Sequence, residues 1–217
     1  SAAAASPVGS SKERGQEALL ADMKWRFCEL QACHPSKLGH EQRLAFWLNV
    51  LNASTLAWLC FTDRQGLRSS LFPMNVWMSF LQRNQVNVGG QDFSLFEMEH
   101  LVIRALSGAP VKLGWNFLQW PRSVCAGDPR FGMLLQRVAP EATFGIAYPV
   151  RSGCPPLRIY RPEAVKPQLL LNCAHYIVQS LHTEAGRRRA CLPALFRTHL
   201  RDFASTPAAL LEFAQAV

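Results

Sequence analysis

The chain has no CxxC pair, no signal-peptide pattern and no internal repeat, and no apolar run of about 18 or more residues. Each absence removes a class of protein. Without CxxC spacing there is no zinc ribbon and no thioredoxin-like motif. Without a long apolar run no membrane span is expected. The nearest candidate, residues 44–61, is interrupted by Asn49, Asn52, Ser54 and Thr55 and reads as a buried helix. Phosphate-loop, dinucleotide-binding and serine-nucleophile signatures are also missing, so no cofactor is expected. Charge is sparse, at 18% of residues. The seven cysteines, an odd number, are scattered at Cys28, Cys33, Cys60, Cys125, Cys154, Cys173 and Cys191. They make no disulfide framework, which points to a reducing, intracellular, cytoplasmic setting.

What is present is apolar and aromatic. Hydrophobic residues make up 49% of the 217, with six Trp and thirteen Phe. A chain of this length and composition can bury a core and fits one domain. Residues 1–14 are Ala, Ser, Gly and charged residues, and they read as a disordered lead-in or cloning remnant. That leaves 15–217 as a single domain. The net charge of +8 suits an acidic protein partner. The one dense cationic run, Arg187-Arg188-Arg189, carries no interleaved aromatics that would stack on bases. It reads as a solvated loop, and no DNA binding is expected.

Hydrophobic periodicity predicts an α+β domain, mostly helical, with a small antiparallel sheet. Helices are expected over 16–33, 41–60, 74–83, 95–106, 131–138, 163–181, 193–203 and 207–215. Strands are expected at 86–88, 144–150 and 157–160. Gly89-Gly90 marks a tight turn after the first strand. Ser94, followed three residues later by Glu97, is the signature of a capping box.

Two of these helices carry polar groups where burial makes them informative. Helical neighbours are separated by about 100°. On that wheel Glu99 falls inside the apolar arc of 95–106, between Leu95, Val102 and Leu106. A carboxylate there needs a partner, because burying an unpaired ion costs several kcal/mol. His100 points about 100° away from Glu99 and shares a face with Arg104 instead. In the 41–60 helix, Asn49 and Asn52 lie at i,i+3 on a side that otherwise reads as buried. Both amides need defined partners. The expectation is that Glu99 meets Asn49 and Asn52 in the interior and pins the helices together.

The same residues carry a family resemblance. Ala45-Phe46-Trp47-Leu48-Asn49-Val50-Leu51-Asn52-Ala53 resembles a helix that reads AFWINLYNA in the family catalogued as domain of unknown function 547. Val88 to Leu95 and Glu99 to Arg104 resemble its IGG, FSL and EH-x-ILR blocks. Asp128-Pro129-Arg130 resembles its DPR, and Ser152 to Tyr160 its SCPPIRVY. Leu195-Phe196 and Asp202-Phe203 fit its C-terminal pattern. The resemblance implies a distant likeness to papain and transglutaminase folds. It makes Cys154 the candidate nucleophile and His100 the candidate base, with Asn49 or Glu99 as polar supports. Asn52, Arg104 and Arg158 are the candidate binding residues. A thiolate needs such an adjacent base and an orienting group.

The chain departs from that family beside the cysteine. Where the family reads HFALNCGAKSCPP, this chain runs from Thr143 to Pro156 with Thr143, Ala147 and Tyr148 in place of His, Asn and Cys. It also carries one extra residue before Cys154, and Pro149 removes an amide donor. The expected function is therefore a non-catalytic protein-interaction module derived from a thiol-hydrolase-like family, with an active cysteine hydrolase using Cys154 and His100 as the alternative. A metal site at Cys173, His175 and His182 is disfavoured. Two ligands two residues apart on a helix splay to different sides.

Overall fold

A computed structural model describes residues 11–61, 74–104, 127–137, 139–147, 155–180, 182–184, 189–191, 196, 203–204 and 206–216. Helix α1 is Ser11–Glu29, continued by a 3-10 turn at Leu30–Ala32. It begins earlier than the 16–33 helix read from the sequence. Pro35 opens another 3-10 turn, Pro35–Lys37, and α2 follows as His40–Phe61. Helix α3 is Met74–Arg83. Strands β1 (Gln85–Val88) and β2 (Gln91–Ser94) pair antiparallel, with Val88 opposite Gln91. The two residues between them, Gly89 and Gly90, have φ of 62° and 78°. Two successive positive φ values are the geometry of the two-residue hairpin turn, which glycine adopts at little cost. Gly89 is fixed for a second reason: an added Cβ would lie 2.8 Å from the Cys33 carbonyl oxygen.

The chain then enters α4, Leu95–Glu97, through the expected capping box. Ser94 Oγ accepts from the Glu97 N–H, while the Glu97 carboxylate accepts from the Ser94 N–H. The ordinary helix lasts three residues and opens into a π-helical segment, Met98–Ile103. This replaces the uniform helix expected over 95–106. The expected helix at 131–138 is a single 3-10 turn, Phe131–Met133. The expected strand at 144–150 is instead the end of a 3-10 segment, Pro140–Gly145, and residues 148–150 lie outside the described residues. Residues 157–160 form no ladder; side chains hold their main chain. Helix α5 is Val165–Ser180 and α6 is Pro207–Ala216. Strands β3 (His182–Glu184) and β4 (Arg189–Cys191) form a second antiparallel pair where a loop was expected. Most of 193–203, including Leu195 and Asp202, lies outside the described residues.

The architecture is thus α+β, mostly helical, and the described residues include two small two-stranded antiparallel sheets. The main core surrounds α2, where Trp47, Leu48 and Leu51 are almost fully buried against Val88, Phe93, Leu95, Met98, Val102 and Leu169. A second, aromatic cluster joins Phe144, Tyr176, Phe196, Phe203 and Phe213. Among the described residues no helix is long and apolar enough to cross a membrane.

Candidate functional site

Arg43, Trp47, Asn49 and Asn52 of α2 each reach main chain. Arg43 is 4% exposed, and its guanidinium donates to four carbonyls: Pro35 at 3.0 Å, Leu134 at 2.7 Å, and Ser36 and Leu38 at 2.9 Å. Burial holds its pKa below the ordinary guanidinium value. One turn on, Trp47 Nε1 donates to Met133 O at 2.9 Å. Asn49 binds both sides of one residue: its amide donates to Tyr160 O and its oxygen accepts from Tyr160 N, each at 2.8 Å. Asn52 does the same across a bend, donating to Gly145 O at 2.8 Å and accepting from Ala147 N at 2.9 Å. The expected meeting of Glu99 with Asn49 and Asn52 does not occur. Main chain without a ladder needs donors and acceptors, and these amides supply them to residues 145–147 and 160. Because Asn52 reads the backbone at Ala147, the missing side chain there leaves that contact intact.

Two polar anchors escaped the sequence reading. Asn172 is fully buried on α5. Its amide nitrogen faces Phe144 O, Pro156 O and Tyr160 Oη at 2.8–3.1 Å, and its oxygen accepts from Arg158 Nε. Arg158, a candidate binding residue, is thereby tied to α5. Arg43 is the other. For Asn172 the signal was a polar residue directly after three leucines in a helical stretch; Arg43 follows His40, Glu41 and Gln42, and its sequence context gave no such signal. The DPR segment is held by charge. Arg130 grips Asp128 with Nε and Nη2, reaches Glu97 with Nη1 at 2.9 Å, and so fastens to the capping box. The hydrogen bonds from Arg130 hold the Asp128 carboxyl below the usual range.

Glu99, His100 and Arg104 come together on the π-helical segment. Glu99 is 3% exposed, as the apolar arc required, and the His100 side chain is 5% exposed. The expectation that Glu99 and His100 point apart is corrected. The Arg104 N–H bonds to Glu99 O at 3.1 Å, five residues back. This wider turn changes the angle between neighbours, and Glu99 Oε1 lies 3.8 Å from His100 Nε2. On the other side Arg104 Nη1 is 3.4 Å from His100 Nδ1, and the Phe96 ring lies 4.5 Å away, centroid to centroid. A guanidinium only donates. The ring nitrogen facing Arg104 therefore carries the lone pair of the neutral imidazole, and Nε2–H faces Glu99. Burial lowers the His100 pKa below the ordinary value; Glu99 opposes this and Arg104 adds to it.

Cys154, the candidate nucleophile, lies outside the described residues, as do Tyr148 and Pro149. Thr143 is buried. Cys173 is fully buried and its thiol is pushed up to about 12 by desolvation, whereas His175 on the same helix is exposed. Among the described residues no group of three His, Cys, Asp or Glu side chains is placed to hold a metal ion.

A mostly helical α+β domain with an amide-studded central helix, a capped hairpin exit and a DPR clamp is the class that fold and site define. The model of the family described as "Protein of unknown function, DUF547" matches residues 35–177, about two thirds of the chain. The chain belongs to that family. No curated protein and no solved structure matches it.

Proposed function

We propose that this protein is a non-catalytic protein-interaction module within a larger intracellular protein, derived from a thiol-hydrolase-like, papain- or transglutaminase-related ancestor. The observation that carries this is the 3.4 Å approach of Arg104 Nη1 to His100 Nδ1, which assigns the lone pair of the neutral ring to that side. A general base must present its lone pair to the thiol it activates, and the His100 lone pair faces the Arg104 guanidinium. Asn49, a candidate support for that base, spends both ends of its amide on main chain. The net charge of +8 favours an acidic protein partner. Free cysteines at Cys28, Cys33, Cys60 and Cys173 suit a reducing compartment.

The competing reading is an active cysteine hydrolase using Cys154 and His100. It is favoured by Glu99, whose carboxylate sits 3.8 Å from the ring, and by the burial that keeps the imidazole neutral. Alkylation by iodoacetamide near neutral pH separates the two, with each cysteine followed by peptide mass. Cys154 is expected to react no faster than the exposed Cys28 and Cys60. If Cys154 reacts about tenfold faster than both and loses that advantage in His100→Gln, the enzyme reading wins.

A further inference from the structure

From the contacts of one buried ring we infer that His100 and Arg104 form a proton-released latch: the neutral imidazole holds the Arg104 guanidinium, and the protonated ring lets it go. The inference rests on the same ring geometry as the functional reading above, but concerns what Arg104 does.

The argument is one of donors and acceptors. Neutral His100 offers Arg104 an acceptor at Nδ1, 3.4 Å from Nη1. Protonation puts a hydrogen on that nitrogen. An N–H then faces an N–H, and a positive ring faces a positive guanidinium, inside a site where the His100 side chain is 5% exposed and Arg104 is 8% exposed. Like charges in contact repel most strongly where water is excluded. The ring itself gains from protonation, because Nε2–H keeps its place 3.8 Å from Glu99. The imidazolium therefore stays with Glu99 and the mobile partner is Arg104.

Among the described residues two charged neighbours bear on the ring. Helix α2 packs on the π-helical segment. From Leu44 to Phe61 its one titratable group is Cys60, which is exposed. Arg43, further up α2, is committed to its four carbonyls. Glu97 on α4 is turned to Ser94 and Arg130. The segment that meets Val102 does so through the Leu135 N–H. Among the described residues Glu99 and Arg104 are the charged groups that face the ring. Arg104 also closes the last π turn through its own main-chain N–H.

The test is an NMR titration of the whole chain from about pH 8 to about pH 4.5, following imidazole and guanidinium nitrogens. At the upper end His100 should show the Nε2–H tautomer. The Arg104 guanidinium signals should then move in one step, with the same midpoint as His100. His100→Gln, which keeps an acceptor but does not titrate, should abolish that step. Should that variant fail to fold, Arg104→Gln serves: removing the positive neighbour should let His100 take its proton at higher pH. An Nδ1–H tautomer, an Arg104 signal that ignores the His100 midpoint, or an unshifted His100 midpoint in Arg104→Gln overturns the latch. A fast Cys154 with the Arg104 step intact sinks the functional reading alone. A slow Cys154 without the step sinks the latch alone.

Discussion

Two polar regions of this domain obey different rules. Along α2, each anchoring side chain bonds to main chain at 2.7–3.0 Å. Along the π-helical segment, side chains meet each other, at 3.4 Å and 3.8 Å. Bonds to main chain fix the path of a chain that has no ladder of its own, and an Asn amide does not titrate. Loose contacts among Glu99, His100 and Arg104 change with protonation. The first region holds the fold at any ordinary pH; the second ties its geometry to the charge on one ring.

Substitutions separate the two regions by size of effect. Asn52→Ala should cost most, about 2–4 kcal/mol, because it strands the buried Gly145 carbonyl and the Ala147 N–H together. Urea unfolding measures it, and a loss under about 1 kcal/mol would show that water replaces the amide. Gly145→Ala probes the same bend by crowding. Its Cβ would lie 2.6 Å from Leu169 Cδ2 and 2.9 Å from Leu48 Cδ2, for an expected loss of about 1–3 kcal/mol. A neutral result in the same unfolding assay would mean that both leucines can turn away. Ser94→Ala removes one half of the capping box and should cost about 1 kcal/mol by thermal unfolding.

At pH 7 the smallest change is expected for His100→Gln, and its signature lies in pH dependence. A histidine whose folded pKa is lowered binds its proton more readily in the unfolded chain. Its contribution is therefore intact above the ordinary imidazole range and is lost as pH falls below it. Denaturation midpoints measured across that range should fall more steeply for the native chain than for His100→Gln. Parallel curves would place the acid sensitivity elsewhere and erase the distinction drawn between the two regions.

Much of the frame was legible in the residues. Gly89-Gly90 marked a tight turn, the Ser94 and Glu97 spacing matched a capping box, and the apolar circumference of residues 44–60 pointed to a central helix. Strand assignments at 144–147, the described part of 144–150, and at 157–160 failed for a common reason. β-branched and aromatic residues marked extended chain, but Asn49, Asn52 and Asn172 satisfy that chain from helices, so no neighbouring strand is needed.

By itself the sequence determined which groups of two apolar helices needed partners: Glu99, Asn49 and Asn52, with Asn172 carrying the same mark on a third. Only the tertiary structure decided who the partners are. Hydrogen bonds are made across 93 and 111 residues of chain at Asn52 and Asn49, and periodicity within one helix carries no information about what lies opposite it. The π-helical segment was likewise beyond reach. A single five-residue hydrogen bond at Arg104 re-aims Glu99 and His100, and the residue pattern of such a turn matches that of an ordinary helix.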